Sequence, residues 1–269
     1  MSWAENLNDM NFFFQLGKNS VRLFILAQLL LLLAFAFRDF PIFIFFSIAP
    51  LFALIDNPTG LKDFYLPFIV AIGTALVFYF TMQESMQPSS VLSWGVYFCL
   101  LAAVFAIYVL LKRWRPLTIN KFALITFILA MEYIFLKLSG DLNPVFLADL
   151  LQNKTSWTRW NVHTGYTGAT LWILVVNLVV YQALFIPKKI NWILCAFALL
   201  LIILPILYSY NISGIPITKL DVTGLYNHDV TGNSVYSQRG ELISRTGAWV
   251  SALIIIFTLV KGLTKKVSR

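Results

Sequence analysis

Ile190-Asn-Trp-Ile-Leu-Cys-Ala-Phe-Ala-Leu-Leu-Leu-Ile-Ile-Leu-Pro-Ile-Leu-Tyr-Ser-Tyr210 contains no charged residue, and its reading decides the class of fold. Its length matches the roughly 20 apolar residues that a tilted helix needs to cross a bilayer core. Working outward, further apolar runs lie at 22–37, 40–55, 64–82, 91–111, 121–138, 164–186 and 246–263. Across all 269 residues 59% are hydrophobic and only 12% charged. A soluble core of this size could not hide that much apolar surface from water. The expectation is an all-α polytopic membrane protein with about eight transmembrane helices.

Residues 22–263 read as a single membrane domain. Before it, segment 1–21 carries Trp3 and Phe12-Phe13-Phe14 beside polar residues, the pattern of an interfacial helix on the cytoplasmic face. After it, 264–269 is a basic tail. The first two runs are separated only by Arg38 and Asp39 and read as a tight helical hairpin, with one irregular element as the alternative. Pro41, Pro50, Pro67 and Pro205 fall mostly near run ends, where a missing backbone donor costs little.

The connecting segments set the orientation. With the N-terminus cytoplasmic, 13 of the 20 Lys and Arg residues lie inside, concentrated in Lys112–Lys121, Lys188–Lys189 and the tail. Both termini are therefore expected to be cytoplasmic, and 139–163 and 211–245 to be outer loops. Neither is long enough for a substantial soluble domain. The net charge of +8 is on this reading a topology signal, so no nucleic-acid partner is expected. Glu5 and Asp9, with no basic start before the first run, argue against a cleavable signal peptide. Cys99 and Cys195 both fall within apolar runs and read as buried, inert thiols. No phosphate loop, zinc motif or hydrolase elbow is present, so neither cofactor nor metal is expected.

Two features could carry chemistry. The first is Trp157-Thr-Arg159-Trp160-Asn-Val-His163-Thr-Gly165-Tyr-Thr-Gly168-Ala169-Thr-Leu-Trp172-Ile-Leu-Val-Val-Asn177. Its plain reading is an aromatic belt followed by a small-residue packing face. Its functional reading is a mouth for a lipid headgroup or substrate, built from Arg159, Trp160 and His163. The second is Glu132, about eleven residues into the 121–138 run. An ionisable group at that depth faces a partner or a polar cavity. Lys137 is a poor intrahelical partner at i+5. The structural alternative is a tie to Asn177 or another polar side chain. His228-Asp229 reads as a solvated loop pair, because adjacent residues rarely orient one another for base catalysis. No catalytic residue is assigned.

At these residues the chain resembles bacterial apolipoprotein N-acyltransferases, particularly those of Bacteroidetes. The run Thr164-Gly165-Tyr-Thr-Gly168-Ala-Thr-Leu-Trp172-Ile-Leu-Val-Val-Asn177 is similar to the opening of that family's sixth span. Ala130-Met-Glu132-Tyr is similar to the site of its fifth-span glutamate. Val235-Tyr-Ser-Gln-Arg239-Gly240-Glu241-Leu-Ile is similar to its return into the last span. The resemblance implies eight spans with both termini inside, in the bacterial inner membrane. In such a protein the sequons Asn153-Lys-Thr155 and Asn211-Ile-Ser213 are chance matches.

It also implies a nitrilase-like domain of well over two hundred residues between the last two spans, carrying a Glu–Lys–Cys triad. Here only about 35 residues, 211–245, join those spans, without a cysteine. Cys99 and Cys195 cannot substitute, having no base beside them to form a thiolate. The expected function is a non-catalytic membrane protein that binds phospholipid or lipoprotein acyl chains, or that acts as a scaffold subunit for other envelope proteins. Its tentative binding residues are Glu132, Arg159, Trp160, His163 and Asn177, and its expected signature is a lateral groove near Arg159, His163 and Glu132. One alternative is an acyltransferase with a new site or a catalytic partner. Another is a transporter, for which intramembrane Glu132 is the support.

Overall fold

The computed structural model describes residues 20–37, 40–56, 88–114, 121–138, 145–187, 189–212 and 241–267. The expected interfacial segment 1–21 (apart from its last two residues), the run 64–82 and the Arg38–Asp39 joint lie outside them. So do His228-Asp229, the stretch Val235–Gly240 and the end of the basic tail. Among the described residues every regular element is helical and there is no strand.

Three helices are long and apolar enough to cross a membrane, with spans at Gly95–Lys112, Thr167–Leu184 and Trp192–Asn211. Helix α1 is Ser20–Ala36. After a 3-10 turn at Pro41–Phe43 come α2 (Ile44–Ser47) and α3 (Ala49–Asp56). Then follow α4 (Pro88–Trp114) and α5 (Lys121–Leu138), whose Lys121, Glu132 and Lys137 set it apart from the three spans, where the only charge is Lys112 at the end of the first. A kinked 3-10 segment, Leu147–Trp157, precedes α6 (Asn161–Thr164), α7 (Thr167–Leu184), α8 (Trp192–Asn211) and α9 (Leu242–Val267). Helix α9 extends beyond the expected run at both ends, and part of the expected tail is its last turn.

The chain forms two compact units. In the first, built from residues up to Ser85, Leu150–Trp160 and Trp172–Gly214, α1 packs on α2 and α3. That is the expected hairpin, although its second arm is broken. Leu23, Ala27 and Ala34 of α1 are buried, and in α3 every residue from Ala49 to Ile55 is buried. Helix α8 is attached by a narrow stripe, Ala198, Ile202 and Ser209, at helical spacing. Its remaining faces leave Ile193, Leu200, Leu204 and Leu207 half or more exposed. Pro205 has no N–H for the carbonyl of Leu201, and the Trp172 indole Nε1 donates to that carbonyl at 2.7 Å instead.

In the second unit, built from Met86–Asp149, Asn161–Leu171 and residues from Ile215 on, α5 lies between α4 and α9. A Cβ added at Gly247 of α9 would stand 2.6 Å from the Leu129 Cβ of α5, so only glycine permits this approach. The buried hydroxyls along α9 bond to carbonyls of α9 or of the residue before it: Ser244 donates to Glu241 O, Ser251 to Gly247 O and Thr258 to Ile254 O. On α4 the buried face carries Tyr97, Val104, Tyr108 and Leu111. Cys99 is exposed on the opposite stripe, with Ile107 and Leu110, and Cys195 is half-buried. The expectation of buried thiols is thereby corrected. Apolarity of a run does not say which of its faces meets protein and which is left exposed.

Segment 145–163 also differs from the hydrophilic loop expected there. It is largely helical, and Val145, Phe146, Ala148 and Leu151 are buried. Gly165, at φ 82°, ends α6, donating its N–H to Asn161 O at 2.6 Å before α7 begins. A left-handed residue closing a helix is the natural place for glycine. Gly165 thus acts through its backbone, beyond any packing role.

Candidate functional site: a buried carboxyl beneath a folded-in segment

The 3-10 segment enters the second unit with three successive backbone N–H groups that no helical carbonyl can take, those of Phe146, Leu147 and Ala148. Each finds a side chain. Phe146 donates to Asp149 Oδ2 at 3.3 Å, Leu147 to Glu132 Oε1 at 2.7 Å and Ala148 to Thr170 Oγ1 at 3.2 Å. Thr170 passes its own proton to Glu132 Oε1 at 3.2 Å, and Tyr97 Oη donates to the same oxygen at 3.2 Å. Tyr166 Oη donates to Asp149 Oδ1 at 2.5 Å, and its ring meets Phe146 edge-on.

Four elements therefore converge on one carboxyl: α4 with Tyr97, α5 with Glu132, the entry of the 3-10 segment, and the first turn of α7 with Thr170. Six residues separate Glu132 from the end of α5, about 9 Å at 1.5 Å per residue. The folded-in backbone reaches that depth, and its donors are satisfied by side chains as irregular backbone away from water requires.

The bonding of Glu132 is lopsided. Oε1 accepts three hydrogen bonds, while Oε2 is buried with no hydrogen-bond partner, alone in this among the described residues. Glu132 has no exposed surface, and among the described residues no cation pairs with it. Lys137, the nearest cation along α5, instead bridges to Glu241 of α9 at 3.1 Å, with Arg245 at 3.9 Å from the same carboxylate.

The other expected site residues divide. Asn177 does not meet Glu132. Its Oδ1 accepts from Ile48 N and Ala49 N at 2.8 and 2.9 Å, and its Nδ2 donates to Ile44 O and Ile173 O at 2.9 and 2.8 Å. It splices the break between α2 and α3 and belongs to the scaffold. Glu132 is fully buried, closed in by its donors. His163 is exposed on α6 and is none of the partners of Glu132.

Arg159 and Trp160 stand together in a corner of the first unit. Arg159 N donates to Ser209 Oγ at 2.7 Å, and its half-buried guanidinium reaches Ile212 O at 3.5 Å. Trp160 Nε1 donates to Trp157 O at 3.0 Å, and its ring stands edge-on to Trp172. The corner thus sits over the C-terminal end of α8.

Tyr97, Asp149, Tyr166 and Thr170 were not foreseen as site residues. The usable signal was the apolar run Val145-Phe-Leu-Ala ahead of Asp149, inside what otherwise reads as a polar loop. Among the described residues no three His, Cys, Asp or Glu side chains gather as metal ligands. Compared with protein-family models, curated proteins and solved structures, the chain finds no match.

Proposed function

We propose that the chain is an eight-span protein of the bacterial inner membrane with both termini cytoplasmic. On this reading it resembles the membrane half of an apolipoprotein N-acyltransferase and binds phospholipid or lipoprotein acyl chains without itself transferring them. The supporting observation is the corner at Arg159. A half-buried guanidinium stands over the end of α8 with Trp160 beside it, and Leu200, Leu204 and Leu207 of that helix are left exposed. An amphiphile with a phosphate and acyl chains complements that pairing of cation and apolar face. Tryptophans at such a level are the usual anchors of a membrane interface.

Phospholipid co-purifying in mild detergent, measured by native mass spectrometry, tests the reading. Arg159→Ala is expected to lower bound phospholipid several-fold, and Arg159→Lys to retain part of it. Equal lipid in wild type and Arg159→Ala would remove the proposal. Release of lysophospholipid by the wild type, lost in His163→Ala, would favour the acyltransferase alternative instead.

A further inference from the structure

The corner at Arg159 holds more positive charge than its own contacts use. Its guanidinium is half-buried, and the bond to Ile212 O is long at 3.5 Å. A guanidinium offers five N–H donors in a planar fork, so most of this one meets no acceptor among the described residues. Five residues earlier Lys154, also half-buried, stands at the kink of the 3-10 segment. Neither cation has an acidic partner among the described residues. The reason lies in the sequence: from Leu150 to Leu220 there is no Asp or Glu. Asp56, the one acid among the described residues of the first unit, is bound by Tyr181 Oη. Asp39 lies outside the described residues and follows Arg38, so that joint adds no net charge. Cations drawn partly out of water without a counter-charge are stabilised by an anion brought from outside.

Resting on the lipid reading above, we propose that this corner selects its lipid by headgroup. It takes a phospholipid of net negative charge, such as phosphatidylglycerol, over zwitterionic phosphatidylethanolamine. Both headgroups bring a phosphate to the fork of Arg159. Ethanolamine adds an ammonium, which needs a carboxylate, and residues 150–160 offer only cations. Glycerol adds hydroxyls and no charge. Each Lys or Arg near a membrane surface favours an anionic lipid by about fivefold, and the corner has two.

The test reconstitutes the full chain in vesicles of equal phosphatidylglycerol and phosphatidylethanolamine. The chain is then extracted in mild detergent, and its retained lipids are identified by native mass spectrometry. The wild type is expected to retain phosphatidylglycerol over phosphatidylethanolamine by about tenfold. Lys154→Gln is expected to lower that ratio several-fold while lipid is still retained, and Arg159→Lys to keep the preference. Extraction at higher salt should narrow the wild-type ratio, a readout that stands even where a variant fails to fold. Lipid retained at an equal ratio, or with phosphatidylethanolamine in excess, overturns the headgroup selection and leaves the lipid reading intact. A preference untouched both by Lys154→Gln and by salt overturns it as well. No retained lipid in the wild type removes the lipid reading and this inference with it.

Discussion

Asn177 and Glu132 are two fully buried polar side chains on which irregular backbone hangs, and they meet that demand differently. Asn177 holds the break between α2 and α3, and both its amide atoms are used, two bonds accepted and two donated. An amide side chain has about four bonds to offer, so nothing is left over. Glu132 holds the entry of the 3-10 segment, but with one oxygen only. A saturated group is explained by the fold it supports. A half-used one leaves chemistry unspent. The contrast separates scaffold from site more sharply than burial, on which the two residues look alike.

The largest effect expected from that comparison is at Asn177. Asn177→Asp turns the donor facing Ile44 O and Ile173 O into a third oxygen among carbonyls, which should cost about 4 kcal/mol in unfolding free energy. A change below about 1 kcal/mol would show that the splice between α2 and α3 is not held as described.

Next comes the wall behind Glu132. Gly247→Ala places a methyl group against Leu129, one turn from Glu132, and should cost about 2 kcal/mol in the same assay. A neutral result would mean that α5 and α9 can separate without loss.

Trp172→Phe strands the carbonyl that Pro205 leaves open, an expected loss of about 1 kcal/mol. In a Pro205→Ala background, where the helix supplies its own donor, the loss should shrink. Equal losses in both backgrounds would detach the indole from the proline.

The smallest effect belongs to Lys137→Met. Its partner Glu241 is buried and keeps Arg245 nearby, while the lysine is about one third exposed, so about 0.5 kcal/mol is expected. A loss several-fold larger would promote this pair from surface tie to core contact.

Much of the helix layout was legible. The runs 91–111, 121–138, 164–186 and 190–210 each became a helix within a few residues, because long apolar stretches away from water leave the backbone few other ways to satisfy itself. Glu132 stood out for the same reason, as the lone acid in an apolar run. What it touches was not legible. Tyr97 lies 35 residues before it and Thr170 38 after, and only the fold brings them to one oxygen. Asn177 was grouped with the site because a sequence shows how deep a polar residue lies but not which atoms meet it. Segment 145–163 read as a loop because its charges and amides were counted over its whole length. Its first residues, Val145 to Ala148, are apolar and turn inward.

One measurement bears on the contrast most directly: the unfolding temperatures of Asn177→Asp and Glu132→Gln, compared in the same detergent buffer. Each variant changes a single side-chain atom. In Asn177 that atom faces two carbonyls, and in Glu132 it faces no partner among the described residues. The account predicts a fall several-fold larger for Asn177→Asp than for Glu132→Gln. Equal falls, or a larger one for Glu132→Gln, would contradict the claim that Oε2 of Glu132 is unspent.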